Sequence, residues 1–473
     1  MSEKIMKKSR VLIAALLGTV MIAALGCGTS HYDNPVAEGV NAAVTTKTAT
    51  ALITAEDLKG WMDAGLVNKV GGYDRVVILD VTADTTGAVP GTNKFYSVGH
   101  IPGAYLVSLG NAYFQETRAE GPLNATGAMV CSGTAMDTLI QNAGIDAYTT
   151  IVLTTNSGSA LDLTRPYATF RYWGFPKNRI KVLQGSNPAW TTAGYALTVQ
   201  PTVVQKSTYG VSQGRSNVSA DMRTSLSEMI ATVKGIVAGN AGKVYVLDTV
   251  RPATAPGGVF RTVDLITSGF YTPFDGFVKG SYGFPLASLV TGTTFKTPAE
   301  IQTAISNAFE GSYSTSAPTL GVAKRDAANT FITMCRAGNN ASQGYFVLDG
   351  IAYYNSSVDI KWYDGSLGQW NLMATSDKTA VNTSGATVNA GGKLKVGSIW
   401  DTTTLMDSLT WNVGRTISAT NLAQMPIIDY TSRVYTVEPT FAEGNQLEEA
   451  DKAYRSVVIA PSGGAAVGGG GGC

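Results

Sequence analysis

Phe331-Ile-Thr-Met-Cys335-Arg-Ala-Gly-Asn-Asn340-Ala-Ser342 is a short apolar run that ends on a cysteine and passes through one glycine into helix-compatible sequence. Such a run, bounded by a polar loop, is the pattern of a strand buried on both faces in a parallel sheet. A cysteine at its end, in a glycine-containing loop that opens a helix, sits among converging backbone N–H groups. It also lies near the positive end of the helix dipole. That setting predicts thiolate over thiol, a nucleophile at neutral pH, and a cradle able to hold a persulfide. Gly338 would allow a tight loop path that a Cβ would obstruct. The alternative is a buried, inert thiol.

Working outward, strands and helices alternate on both sides, as in an α/β fold with a mainly parallel sheet. Ser225–Ala238 reads as helix, Lys243–Asp248 as strand, Pro298–Phe309 as helix, Thr330–Met334 as strand, Ser342–Tyr354 as helix and Val358–Trp362 as strand. The same order occurs earlier. Thr54–Trp61 is a helix with Thr54 as N-cap, Asp74–Asp80 a strand, Thr134–Ala143 a helix, Thr149–Leu153 a strand, Asp162–Trp173 a helix and Ile180–Leu183 a strand. Two copies of one unit are expected, at 52–200 and 222–376, with a linker over 198–222. A Thr/Asn/Gly-rich extension over 377–460 includes a charged helix near Asn445–Tyr454, and residues 461–473 form a flexible Gly-rich tail.

Both copies carry ordered landmarks. The first has Val77-Ile-Leu-Asp80, Gly99-His-Ile-Pro-Gly-Ala104 and Leu183-Gln-Gly185-Ser-Asn-Pro-Ala-Trp190. The second has Val246-Leu-Asp248, a degraded Gly276-Phe-Val-Lys-Gly-Ser281, the Cys335 loop and Tyr363-Asp-Gly365-Ser-Leu-Gly-Gln-Trp370. This set resembles the tandem-domain rhodanese-like (sulfurtransferase) family over residues 52–376. The resemblance implies that Cys335 accepts a sulfane sulfur and passes it to a thiol or other thiophilic acceptor. The loop residues Arg336, Ala337, Gly338, Asn339 and Asn340 would support the anionic donor. Many bacterial members read Cys-Arg-x-Gly-Asn-Arg-Ser, so Asn340 and Ala341 leave this loop without a second cation and a hydroxyl. The loop also lacks the Cys-Gly-Ser-Gly pattern associated with mercaptopyruvate. In the first copy Thr154 or Thr155 stands where the cysteine would be, which predicts an inactive domain. Cys131, His100, Asp80, Asp248 and the aromatic cluster of Tyr345, Phe346, Tyr353 and Tyr354 are read as structural.

Composition excludes much else. The 473 residues hold 35 Lys+Arg against 34 Asp+Glu, only 15% charged residues, 53 Gly, 4 Cys and 2 His. A near-neutral chain without a basic run has no electrostatic footprint for nucleic acid. Four cysteines with no C-x-x-C, and two histidines, give no disulfide framework and no expected metal or cofactor site. Residues 1–26, with Lys4, Lys7, Lys8 and Arg10 before an apolar run ending Ala24-Leu25-Gly26-Cys27, resemble a lipoprotein signal. Cys27 would be lipidated, residues 27–51 would form a tether, and the outer membrane of the cell envelope is the expected location. Cys473, at the end of its glycine run, is read as a possible second thiol swinging toward Cys335, as the mark of a recoded stop, or as incidental.

The functional expectation is an envelope-anchored sulfurtransferase working through a Cys335 persulfide. The alternatives are a non-catalytic scaffold or partner protein of cell-envelope redox complexes, and a chalcogen or metalloid binder that uses Cys335 stoichiometrically.

Overall fold

The computed structural model describes residues 44–83, 94–213, 222–249, 274–284, 286, 289–311, 317–370, 373, 379–382, 387–389, 398–411, 416–417 and 440–457. The expected signal segment, Cys27, most of the tether, the Gly-rich tail and Cys473 lie outside the described residues.

In chain order the first copy contains β1 (Leu52–Ile53), α1 (Ala55–Asp63), β2 (Arg75–Asp80), β3 (Tyr105–Leu106), β4 (Gln115–Glu120), β5 (Leu123–Val130), α2 (Gly133–Asn142), β6 (Thr149–Thr154), α3 (Leu161–Tyr172), β7 (Ile180–Leu183) and α4 (Ser186–Thr192). Its sheet has the order β1-β7-β6-β2-β3, with every pairing parallel. The strands of such a sheet are covered on both faces, so β2 and β6 read as unbroken buried runs rather than as alternating ones. α1 starts where the sequence places it, because Thr54 and Asp57 form a reciprocal capping box. Its Leu58 and Trp61 pack with Val76, Ile78, Val152 and Trp190 in one core.

The second copy contains α5 (Leu226–Val237), β8 (Val244–Asp248), β9 (Phe274–Val278), β10 (Tyr282–Gly283), α6 (Pro298–Ser306), β11 (Phe309–Glu310), β12 (Thr330–Met334), α7 (Asn339–Phe346), β13 (Asp359–Trp362) and α8 (Ser366–Trp370). The sheet order is β13-β12-β8-β10, parallel throughout, and antiparallel β11 extends the β10 edge. On the opposite edge Arg223 makes a parallel bridge with Trp362, in the place that β1 holds beside β7. The two copies therefore share one strand order. α6 ends at Ser306, so Phe309 belongs to β11 instead of to a helix. The expected helix over Ser342–Tyr354 instead begins at Asn339 and passes into a π-helical turn at Val347–Ala352.

β14 (Met406–Trp411) and α9 (Gln446–Arg455) belong to the extension. β14 pairs antiparallel with β9, while Trp400 and Leu405 enter the second core beside Val246, Ile332 and Trp370. α9 closes over a buried ionic cluster. Arg223, wholly buried, meets Glu120 at 2.7 Å, Glu448 at 2.9 Å and Asp364 at 2.8 Å. Arg118 of β4 holds Asp451 of α9 through two bonds of 2.7 Å. α3 packs against α7, where the Tyr167 hydroxyl donates to Asp349 at 2.7 Å and the Tyr167 and Phe346 rings meet edge to face at 4.8 Å.

Burial raises the Glu448 carboxyl from its ordinary 4.5 to about 7, with Arg223 pulling the other way. Between those values the native state holds a proton that the unfolded chain has lost, so this group lowers stability as pH rises through the window. Glu448→Gln is expected to make the fall in urea stability from pH 4.5 to 7 shallower, by up to about 3 kcal/mol across it. An unchanged slope would refute this.

Candidate functional site

β12 lies centrally in the second sheet and delivers Cys335 at its carboxyl end, 2% exposed. The loop turns back through Gly338, at φ +80°, which acts as N-cap of α7. A Cβ at this position would collide with the Asp364 backbone carbonyl, so only glycine fits. The Trp362 indole N–H donates to the Gly338 carbonyl at 3.1 Å. The start of α8 supports the loop from behind. Its Leu367 and Gly368 amides donate to the Cys335 and Arg336 carbonyls at 3.0 and 2.6 Å.

Around the sulfur, the backbone amides of Ala337 and Ala341 converge as hydrogen-bond donors, and the Ser366 hydroxyl lies 3.8 Å away. Ser366 also accepts from the Cys335 amide at 3.0 Å while its hydroxyl donates to the Tyr363 carbonyl at 2.8 Å, and it adopts φ +50°, rare for a residue with a side chain. Sequence reasoning did not assign Ser366. The available signal was the Gly-Ser pair after the last strand of each copy, since Ser186 repeats the conformation at φ +54°. Arg336, Ala337, Asn339 and Asn340 are half-buried around the turn, and Gly338 is buried. The Asn339 side-chain oxygen has no hydrogen-bond partner among the described residues.

The expectation of a thiolate-favouring site is corrected in one respect. The donors are present, but burial pushes the Cys335 thiol above its ordinary 9.0 despite the bonds from Ala341, Ala337 and Ser366, and Asp248 pushes the same way. Removal of the sulfur from water outweighs the cradle, so the resting site holds a thiol.

Strand register settles the counterpart in the first copy. Asp80 faces Thr154 as Asp248 faces Met334, which places Thr155 opposite Cys335 in the comparison of copies. Thr155 is buried in a closed hydroxyl network, donating to Ser157 at 3.1 Å, while Ser157 bonds Asp162. No thiol is available there. Cys131 is buried and its thiol is pushed up to about 12, first by desolvation and then by Glu116. His100 is buried, stacked 3.6 Å from Phe95, with Nδ1 3.0 Å from the Phe95 carbonyl, and burial lowers its pKa. Asp80 accepts from Asn187 at 2.8 Å, and burial lifts it to about 6. Tyr345 and Phe346 pack against Tyr167, and Tyr353 against Phe331. Among the described residues no group of three or more His, Cys, Asp or Glu side chains could hold a metal ion.

Residues 54–193 match the Rhodanese family, described as a rhodanese-like domain. No curated protein matches the sequence. Similar solved structures include SseA from Escherichia coli, described with the rhodanese fold and catalytic mechanism of 3-mercaptopyruvate sulfotransferases, at 14% identity and TM-score 0.44, covering 67% of this chain and 98% of that one. The anaerobic ergothioneine biosynthesis enzyme from Chlorobium limicola, in complex with trimethyl histidine, is 14% identical at TM-score 0.48, covering 68% of each chain. YnjE is 14% identical at TM-score 0.47, covering 68% of this chain and 66% of that one.

With the thiol raised, the rate of iodoacetamide alkylation at Cys335, read by peptide mass, should keep climbing through pH 9. A plateau below pH 8 would contradict the burial argument. Gly338→Ala combines a clash with a left-handed backbone and should cost about 1–3 kcal/mol of stability in urea, against near-neutrality for an unstrained turn.

Proposed function

We propose, for a chain that carries a rhodanese-like domain over residues 54–193, that it transfers sulfane sulfur through a persulfide on Cys335 of its second copy. The observation that carries this reading is the convergence of the Ala337 and Ala341 amides on one sulfur at the end of the central strand, with the Ser366 hydroxyl 3.8 Å away. Cys335 first loses its proton to solvent. Its thiolate then attacks the outer sulfur of a donor R–S–S⁻, forming a new S–S bond, and R–S⁻ departs with the electrons of the old one. An acceptor thiolate attacks the terminal sulfur, and the Cys335 thiolate leaves in turn. The cradle donors would hold the added anionic sulfur, where low dielectric strengthens each bond.

The lipoprotein-like segment ending at Cys27 supports placing this activity at the cell envelope, anchored by lipid, with the outer membrane as the expected leaflet system. Among the described residues no helix is long and apolar enough to cross a membrane. A scaffold reading draws on the 2% exposure of Cys335 and on the hydroxyl-filled first copy.

Incubated with a panel of sulfane donors and then cyanide, the protein should gain one sulfur by intact mass and release thiocyanate catalytically. Cys335→Ser should lose both, and Cys131→Ser should keep both. A folded wild type that takes up no sulfur from any donor favours the scaffold.

A further inference from the structure

α3 of the first copy brings a second, unexpected charge to the second copy. Arg165 is wholly buried. Its Nε donates to the Phe114 carbonyl at 3.3 Å and its Nη2 to the Ala128 carbonyl at 2.8 Å, while Nη1 has no hydrogen-bond partner among the described residues. No carboxylate forms a salt bridge with it among those residues, although a buried cation left so is costly. The guanidinium lies over the Trp362 ring, 4.6 Å from its centroid. That same indole donates to the Gly338 carbonyl in the Cys335 turn. Arg165 thus stands one aromatic ring behind the loop.

The loop itself has Asn340 where a second cation would stand. The domain that carries Arg165 has no thiol in its own cradle, where Thr155 stands, and its Cys131 thiol, also coupled to the guanidinium, is pushed up to about 12 by burial. Electrostatic coupling from the guanidinium extends to Asp364, Cys131, Cys335 and Arg223, and burial pushes it down to about 10. On the sulfur itself the largest influences are burial, the cradle donors and Asp248, and Arg336 follows it in the loop.

We propose that Arg165, supplied by the silent first copy, is the positioning cation of the Cys335 site, holding the anionic forms of that sulfur through Trp362 and the Gly338 turn. It replaces the charge that position 340 lacks. The first copy is then retained for a charge it lends rather than for chemistry of its own. The inference rests on Cys335 being the reactive thiol.

The test compares the pH profile of Cys335 alkylation in the full chain carrying Arg165→Gln, alone and with Asn340→Arg. Gln keeps N–H donors for the carbonyls but removes the charge, and Asn340→Arg returns a charge on the loop itself. An opposite charge within about 4–6 Å is worth about 1–3 pKa units and one held behind an aromatic ring is worth less, so Gln should slow alkylation at pH 8 about two- to threefold. Added Asn340→Arg should restore part of that loss. Equal profiles for wild type and Gln, or a loss in Gln that Asn340→Arg leaves untouched, would overturn the proposal. Because alkylation needs no sulfur donor, a charge-dependent profile in a protein that never loads sulfur would fail the transferase reading alone.

Discussion

Arg223 is stripped of water and held by three carboxylates from three distant parts of the chain. Glu120 comes from the hairpin of the first copy, Asp364 from the turn behind the Cys335 loop, and Glu448 from the C-terminal helix. Charges taken out of water cost several kcal/mol each, and only close, well-bonded partners offset that cost. Gln369 adds a 2.7 Å bond to Glu120, and the Val130 amide donates to Asp364 at 2.9 Å. The geometry tolerates little movement, and Asp364 transmits this to the site: its side chain is fixed by the cluster while its carbonyl sets how closely Gly338 must pass.

The two copies show how one framework can keep its architecture while its central strand ends on different side chains. Their sheets share strand order, their first helices share capping boxes, and each carries a positive-φ serine after its last strand. At the critical position one has Thr155 and the other Cys335. In the threonine cradle Thr155 bonds Ser157 and Ser157 bonds Asp162, while the Ser186 hydroxyl has no hydrogen-bond partner among the described residues. The cysteine cradle keeps donors around a sulfur that burial holds neutral. Low dielectric works in both directions there, disfavouring the bare thiolate and strengthening every hydrogen bond to an anion once formed.

The alternation of buried apolar runs with helical segments fixed the existence and order of the main elements. The reason is local: a parallel strand must be apolar on both faces, and a helix start needs a cap such as Thr54 or Ser225. The loop around Cys335 was equally legible, since a glycine at φ +80° and a strand-end cysteine are sequence-near features. Less legible was the helix start at Asn339, because the tight Gly338 turn that sets it depends on the Asp364 carbonyl across the loop.

Sequence alone therefore determined the duplicated α/β order, the missing thiol of the first copy and the identity of the candidate sulfur. Tertiary structure decided its environment. Whether Cys335 rests as thiol or thiolate depends on how much water the surrounding elements exclude, and that sums contributions from residues far apart in the chain. Ser366, Asp364 and Arg165 reach the site only by folding, from 31, 29 and 170 residues away respectively. Spacing along the chain carries no record of such approaches, because burial and charge act through space.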